Sequence, residues 1–248
     1  MRSVADPLLQ ALDRAPRPVP LFIRDDDAGW DDARLGALLD VTARIGIPID
    51  LAVIPEALGE RLARQLLRRM SEQPLFVHQH GCRHANHEVE GRQCEFGPAR
   101  TAEQRAGDLL LGQARLMAAF GERLDPIFTP PWNRCAPDTP AQLARLGVRA
   151  LSRDAGAPAQ ATLREIPVHT DWTRQWRRAL AAGTPPAEAI SADLARHVER
   201  GGPIGLMLHH AEMDDEQLQA LQALLASWVP HRQARWRAMR ELLDGDLA

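Results

Sequence analysis

The sequence predicts a parallel α/β architecture, on three observations. Short apolar, β-branched runs alternate with amphipathic helical windows through most of the 248 residues, the pattern of strands joined by helical crossovers. About seven such runs can be counted, the number that fits an incomplete barrel or an open doubly wound sheet. Polar and ionisable residues then collect where the strands finish, the end at which parallel α/β folds build their sites. No GxGxxG follows the first strand and no P-loop occurs, which counts against a nucleotide-binding sheet.

Taken in order, VPLFIRD (19–25) reads as the first strand. Residues 31–46 carry apolar side chains at helical spacing, and Gly46 stops the helix. IPIDLAVI (47–54) is the second strand, 56–72 an arginine-rich amphipathic helix, and LFVHQ (75–79) the third strand. The polar stretch to about residue 100 is too long for a simple connector. Thr101 with Gln104 then forms a capping box that starts the next helix. DPIFTPPW (125–132), VRALSRD (148–154) and LREIPVHTD (163–171) give strands four to six, and DAGAPAQA (154–161) a surface loop. A helix over about 186–200 precedes PIGLMLHHAEMD (203–214), the last strand. One helix over 214–228 and another near 233–243 close the chain. A single domain over 1–248 is expected, with its core over about 19–212 and C-terminal helices over 214–243.

Composition narrows the function classes. The chain is 45% hydrophobic and 25% charged, with net charge −3. Charges of both signs are interspersed with no basic stripe, so neither nucleic acid nor an anionic membrane is expected as a partner. Every cation is an arginine. Three cysteines make no disulfide framework; Cys82 and Cys94 are expected reduced. The first residues lack a secretory apolar segment and no run is long enough to span a membrane; a soluble cytoplasmic protein is expected.

Five polar clusters mark the strand ends: RDDDAGW (24–30), HQHGCRHANH (78–87), TPPWNR (129–134), HTDW (169–172) and LHHAEMD (208–214). Adjacent carboxylates repel unless a cation or a proton relieves them. The run Asp25-Asp26-Asp27 therefore suits one residue binding a metal and another moving a proton, whereas Asp31 and Asp32 suit a helix start. His80 and His84 flank Gly81, and two imidazoles with a carboxylate would hold a zinc-like ion with one position open. His78 would support them from behind, Cys82 competes as a ligand, and the alternative is a solvated polar loop holding His87 as well. His209 and His210 place a group that titrates near neutrality at the same face, suited to a general acid. Pro130 and Pro131 fix a rigid corner, and Trp132 offers a flat face of the kind that stacks on sugars. Asp214 reads as a helix cap.

Together these residues resemble the polysaccharide deacetylase superfamily, the NodB-homology domain of carbohydrate esterases. The family's motifs occur in order over roughly residues 19–212: an aspartate pair, here Asp26-Asp27; His80-Gly81-Cys82-Arg83-His84; a proline-proline-aromatic corner, Pro130-Pro131-Trp132; and Leu208-His209. The resemblance implies a distorted (β/α)7 barrel with mostly parallel strands and a divalent metal, zinc by preference, with nickel or cobalt as alternatives. Carried over by position, Asp27, His80 and His84 bind the metal, Asp26 is the general base and His209 the general acid. A second register makes Asp25 the base and Asp26 the ligand. Arg24, Pro131, Trp132, Asn133 and His210 are the substrate-binding candidates. The family's arginine before the double proline is replaced by Thr129, and Arg24 is the residue available to steady the base instead.

The implied reaction is removal of an acyl group, acetyl in the simplest case, from an N-acetylated sugar or related amide by metal-activated water, on a small-molecule or oligosaccharide substrate. The alternative is a catalytically inactive barrel of the same kind that binds a sugar or a metal. A metal-dependent hydrolase of phosphate esters is a third reading, with Arg24, Arg83 and Arg134 as its cations. The oligomeric state is not encoded in any motif.

Overall fold

The computed structural model describes residues 6–244; residues 1–5 and 245–248 of the expected domain lie outside it. The chain runs α1 (Pro7–Arg14), β1 (Val19–Ala28), α2 (Asp32–Ile45), β2 (Ile49–Val53), α3 (Glu60–Glu72), β3 (Leu75–His80), α4 (Ala102–Phe120) and β4 (Leu124–Thr129). It continues through α5 (Thr139–Arg145), β5 (Ala150–Leu151), β6 (Arg164–Glu165), β7 (Val168–Asp171), α6 (Trp172–Ala181), α7 (Pro186–Val198), β8 (Ile204–His209), α8 (Asp215–Trp228) and β9 (Ala234–Trp236). All strand pairings are parallel, in the order β6-β5-β4-β3-β2-β1-β8-β7 with β9 on β1. No described helix is long and apolar enough to cross a membrane.

The sheet curls into the distorted (β/α)7 barrel. Its two ends belong to one segment: residues 163–171, expected as a single strand, divide at Pro167 into β6 and β7. Proline has no N–H to give to the ladder. β6 pairs with β5 and β7 with β8, and Val168 N–H still donates to Arg153 O at 2.9 Å, so the segment bridges the gap.

Residues alternate across each strand, and this alternation sorts the core. Leu21 and Ile23 of β1 face the helices, packed with Leu35, Leu38, Leu221 and Leu225 in the larger apolar cluster. Phe22 faces the barrel interior with Ile127, Val168, Met207 and Met239. Gly205 is required there, because a Cβ would lie 2.4 Å from the Phe22 ring.

Helix ends follow the sequence closely. Asp31 caps α2 through Arg34 N–H at 3.1 Å, Gly46 ends it at φ +77°, and Thr101 and Gln104 make both capping-box hydrogen bonds. The stretch near 233–243, expected as a helix, is instead β9 and a 3-10 turn over Met239–Leu242. Parallel pairing of β2 with β1 begins at Arg24, which leaves the lower part of β1, Val19 to Leu21, open for β9.

Candidate metal and catalytic site

The site stands on the carboxyl ends of β1, β3, β4 and β8. Strict alternation would point Asp26 inward and Asp27 away. Asp27 instead has φ +68°, and the β1–β2 register shifts between Asp25 and Ala28. This kink returns the Asp27 carboxylate to the top of the barrel beside Asp26. His84, Trp132 and Asn133 share the left-handed conformation, at φ +56°, +54° and +59°. Such conformations cost of order 1–3 kcal/mol each, and they concentrate at functional sites.

Asp27, His80 and His84 converge, with candidate ligand atoms all within 4.8 Å of one another. His80 Nε2 lies 3.2 Å and His84 Nε2 3.1 Å from Asp27 Oδ1. His80 Nδ1 is 3.0 Å from the Thr129 carbonyl oxygen, an acceptor only, so Nδ1 carries the proton. In the neutral ring the Nε2 lone pair then faces a carboxylate oxygen, an arrangement that needs a proton or a cation between the two. Burial opposes charge on His80, but the Asp27 hydrogen bond and carboxylate lift its pKa above the usual value. Burial and the neighbouring His80 push His84 down to about 4. Two imidazole nitrogens and one carboxylate fit a zinc-like ion with an open position. His78 stands behind them, fully buried, with Nε2 2.8 Å from Thr129 Oγ1. Burial, with the nearby Arg24 charge, takes its pKa to about 3.

Asp26 is next to this cluster and is held by Arg24, two residues back on the same face. Arg24 Nε and Nη2 donate to Asp26 Oδ1 and Oδ2, both at 2.8 Å. Burial alone would raise the Asp26 pKa; Arg24, with His80 and His209, carries it down to about 2. The rest of the guanidinium is occupied by Ser152 Oγ at 2.8 Å and Asn133 Oδ1 at 2.9 Å. Arg24 is 0% exposed, so it steadies the carboxylate and does not reach a substrate. Thr129, directly before the double proline, contacts His78 through its hydroxyl and His80 through its carbonyl oxygen.

Asp25 points away from the barrel interior and meets His210. His210 Nδ1 lies 2.7 Å from Asp25 Oδ2 while Nε2 donates to Trp30 O at 2.7 Å. Both ring nitrogens therefore donate. Burial disfavours the imidazolium, but Asp25 outweighs it and raises the pKa to about 9. Both side chains are fully buried, so His210 is a strut under Trp30 and not a substrate contact, and Asp25 is engaged away from the ligand cluster. His209, opposite Asp26 in the β1–β8 register, is half-buried with Nδ1 unpartnered.

The polar stretch after β3 is organised by a residue the sequence reading missed. Glu95, fully buried, accepts from Cys82 N–H at 3.2 Å and Arg83 N–H at 2.7 Å. Gly81 is needed beneath it: at φ +58°, a Cβ would sit 2.1 Å from Glu95 Oε2 and 2.6 Å from the Pro131 ring. Cys82 points into an apolar cluster with Phe96, Leu109 and Phe128, and burial pushes its thiol up to about 12; it is no ligand. Cys82, Cys94 and Cys135 are all free, and His87 lies outside the cluster. Pro131 is buried, while Trp132 and the exposed Trp30 flank the His84 ring with centroids 4.5 and 4.7 Å away. Asp171 and Asp214 cap α6 and α8.

No family model matches the sequence, and no curated protein matches it. Solved structures do. A candidate polysaccharide deacetylase from Mycobacterium smegmatis aligns over 92% of this chain and 89% of its own, with TM-score 0.70 and 16% identity. A family 4 acetyl xylan esterase from Clostridium thermocellum, in complex with a cobalt ion, aligns over 90% and 89%, with TM-score 0.57 and 15% identity. A family 4 carbohydrate esterase pseudoenzyme from Bacillus anthracis aligns over 86% and 61%, with TM-score 0.55 and 12% identity. The chain has the fold of the family 4 carbohydrate esterases.

Proposed function

We propose that this chain is a metal-dependent hydrolase that removes an acyl group, acetyl in the simplest case, from an N-acylated sugar or related amide. A pseudoenzyme shares the fold, so fold alone carries no activity. The observation that supports the reading is the side-chain constellation: His80 Nε2 and His84 Nε2 gathered on one oxygen of Asp27, with an ionised, arginine-held Asp26 and a His209 whose Nδ1 has no partner among the described residues beside it.

Asp27, His80 and His84 would hold the ion, zinc by preference and nickel or cobalt otherwise. Such an ion lowers the pKa of a bound water from about 15.7 towards about 7 and polarises a carbonyl. Asp26 Oδ1 or Oδ2 takes the proton of the attacking water; Arg24 keeps that carboxylate charged and fixed. His209 gives a proton to the departing amine nitrogen, without which the amine is a poor leaving group. Trp30 and Trp132 wall the cluster, restrict water around it and present flat faces to a sugar ring. A positioned acid or base contributes about 10²–10⁴-fold in rate.

The test is acetate release from N-acetylated sugars by the wild type and His209→Ala. His209→Ala is expected to retain its metal and lose turnover by about 10²-fold or more. A His209→Ala protein that turns over like the wild type would remove its assigned role, and a wild type that binds metal yet releases no acetate would favour the inactive, ligand-binding barrel.

A further inference from the structure

A cavity of about 730 Å³ adjoins the metal cluster, and the chemistry above does not use it. Trp132 and Asn133 line it, and Trp132 rests against the His84 ring. The cavity therefore begins one ring away from the candidate ligand set. The segment expected as a plain surface loop, 154–161, forms another wall through Asp154, Ala157 and Gln160. The volume is in the range of small-molecule sites.

Its polar lining is predominantly cationic. Three arginines, Arg92, Arg134 and Arg153, line it with one acidic residue, Asp154. Arg153 is only 6% exposed; it pairs with Glu165 and donates to Pro158 O at 2.9 Å, yet its Nε is buried without a partner. Arg134 Nη1 donates to Gln93 O at 2.9 Å. Neither Arg134 nor Arg92 has a carboxylate within ion-pair distance among the described residues. Partial burial and the like charge of Arg92 both work against the Arg134 cation, with Asp154 pulling the other way. Guanidinium groups gathered in a concave wall with spare donors match the oxygens of a carboxylate or phosphate.

We propose that this cavity is the subsite for an anionic substituent, a carboxylate or a phosphate, carried by the acyl-amide substrate and held by Arg92 and Arg134. The assignment rests on the hydrolase reading above, and it makes the substrate an acidic or phosphorylated N-acyl compound of about sugar size. The acyl group lies at the metal cluster, Trp132 separates the two regions, and the anion sets which substrates are accepted.

Calorimetric titration of metal-loaded His209→Ala protein tests this without turnover, with N-acetylglucosamine, N-acetylmuramic acid and N-acetylglucosamine 6-phosphate as probes. At least one anionic probe is expected to bind about tenfold or more tightly than the neutral sugar; which one gains tells carboxylate from phosphate. Arg92→Gln and Arg134→Gln, singly and together, are expected to erase that advantage while metal content stays unchanged. Equal affinity for all three probes overturns the proposal. A preference that survives both substitutions also overturns it, because the anion then sits elsewhere, on the metal cluster for example. Arginine-dependent anion binding in a protein whose wild type never releases acetate would uphold the subsite and sink the deacetylase reading. Acetate release with no anion preference would do the reverse.

Discussion

At the residue scale, the site depends on how three consecutive aspartates are kept apart in role. Asp25 is committed to His210, Asp26 to Arg24 and Asp27 to His80 and His84. Each carboxylate has its own cationic or imidazole partner, which is how a buried acidic run of this density is tolerated. The arginine that holds Asp26 stands on its own strand, whereas the sequence resemblance implies one before the double proline. Removing Arg24 leaves Asp26 charged and buried. Arg24→Met is therefore expected to cost about 3–5 kcal/mol of stability, measured by denaturant unfolding. The paired Arg24→Met/Asp26→Asn variant should recover a substantial part, because no unpaired charge remains; a double variant no more stable than Arg24→Met would contradict this account.

At the element scale, β1 and β8 are clamped at their site ends by the Asp25–His210 pair, which also fixes Trp30 beside His84. His210 has a folded-state pKa raised from 6.5 to about 9. Its contribution to stability is complete below about 6.5 and is lost as pH rises through about 9. Thermal unfolding between pH 7 and pH 10 should thus show a steeper loss of Tm in the wild type than in His210→Gln; parallel curves would mean the pair is not charged. Part of this level is legible in the sequence: strand-end clustering and motif order point to Asp26, Asp27, His80, His84 and His209, and the structure brings these five side chains together, while their division into ligands, base and acid belongs to the proposed function. Glu95 escaped because it lies in a loop with no periodic signal, and its hydrogen bonds to Cys82 and Arg83 exist only once the turn has formed. Arg24 and His210 read as substrate contacts in the sequence but are fully buried in the fold, because polarity at a strand end does not reveal which face of the sheet a side chain occupies.

At the scale of the whole molecule, the barrel has a polar top that carries the candidate site and an apolar floor. Met239, Leu242 and Leu243 close the floor against Phe22, Ile127 and Met207. Asp50 of β2 anchors this plug, accepting Met239 N–H through both oxygens at 3.1 and 3.0 Å. The sequence read this segment as a helix because its leucines and methionine recur at helical spacing; the open lower edge of β1 is a property of the assembled sheet. Likewise, the break at Pro167 follows from a missing donor whose consequence depends on two neighbouring strands. Burial raises the Asp50 pKa well above 3.8, with Met239 N–H opposing. A raised carboxylate stabilises the fold most below its unfolded pKa, and that contribution is lost as pH climbs towards the folded value. Asp50→Asn keeps an acceptor for Met239 without a charge to bury. It is expected to unfold at higher temperature than the wild type at pH 8, with the gap narrowing at pH 4. A variant less stable than the wild type at both values would show that the anion itself holds the plug.

On the proposed function, HQHGCRHANH supplies half of a metal site that Asp27 of the first strand completes. The most direct measurement is the metal content of protein purified without added metal, beside Asp27→Ala and His80→Ala, each of which removes one ligand. About one zinc-like ion per chain is expected in the wild type, and its loss in both variants. A wild type without metal, and without uptake when zinc, nickel or cobalt is supplied, would contradict it.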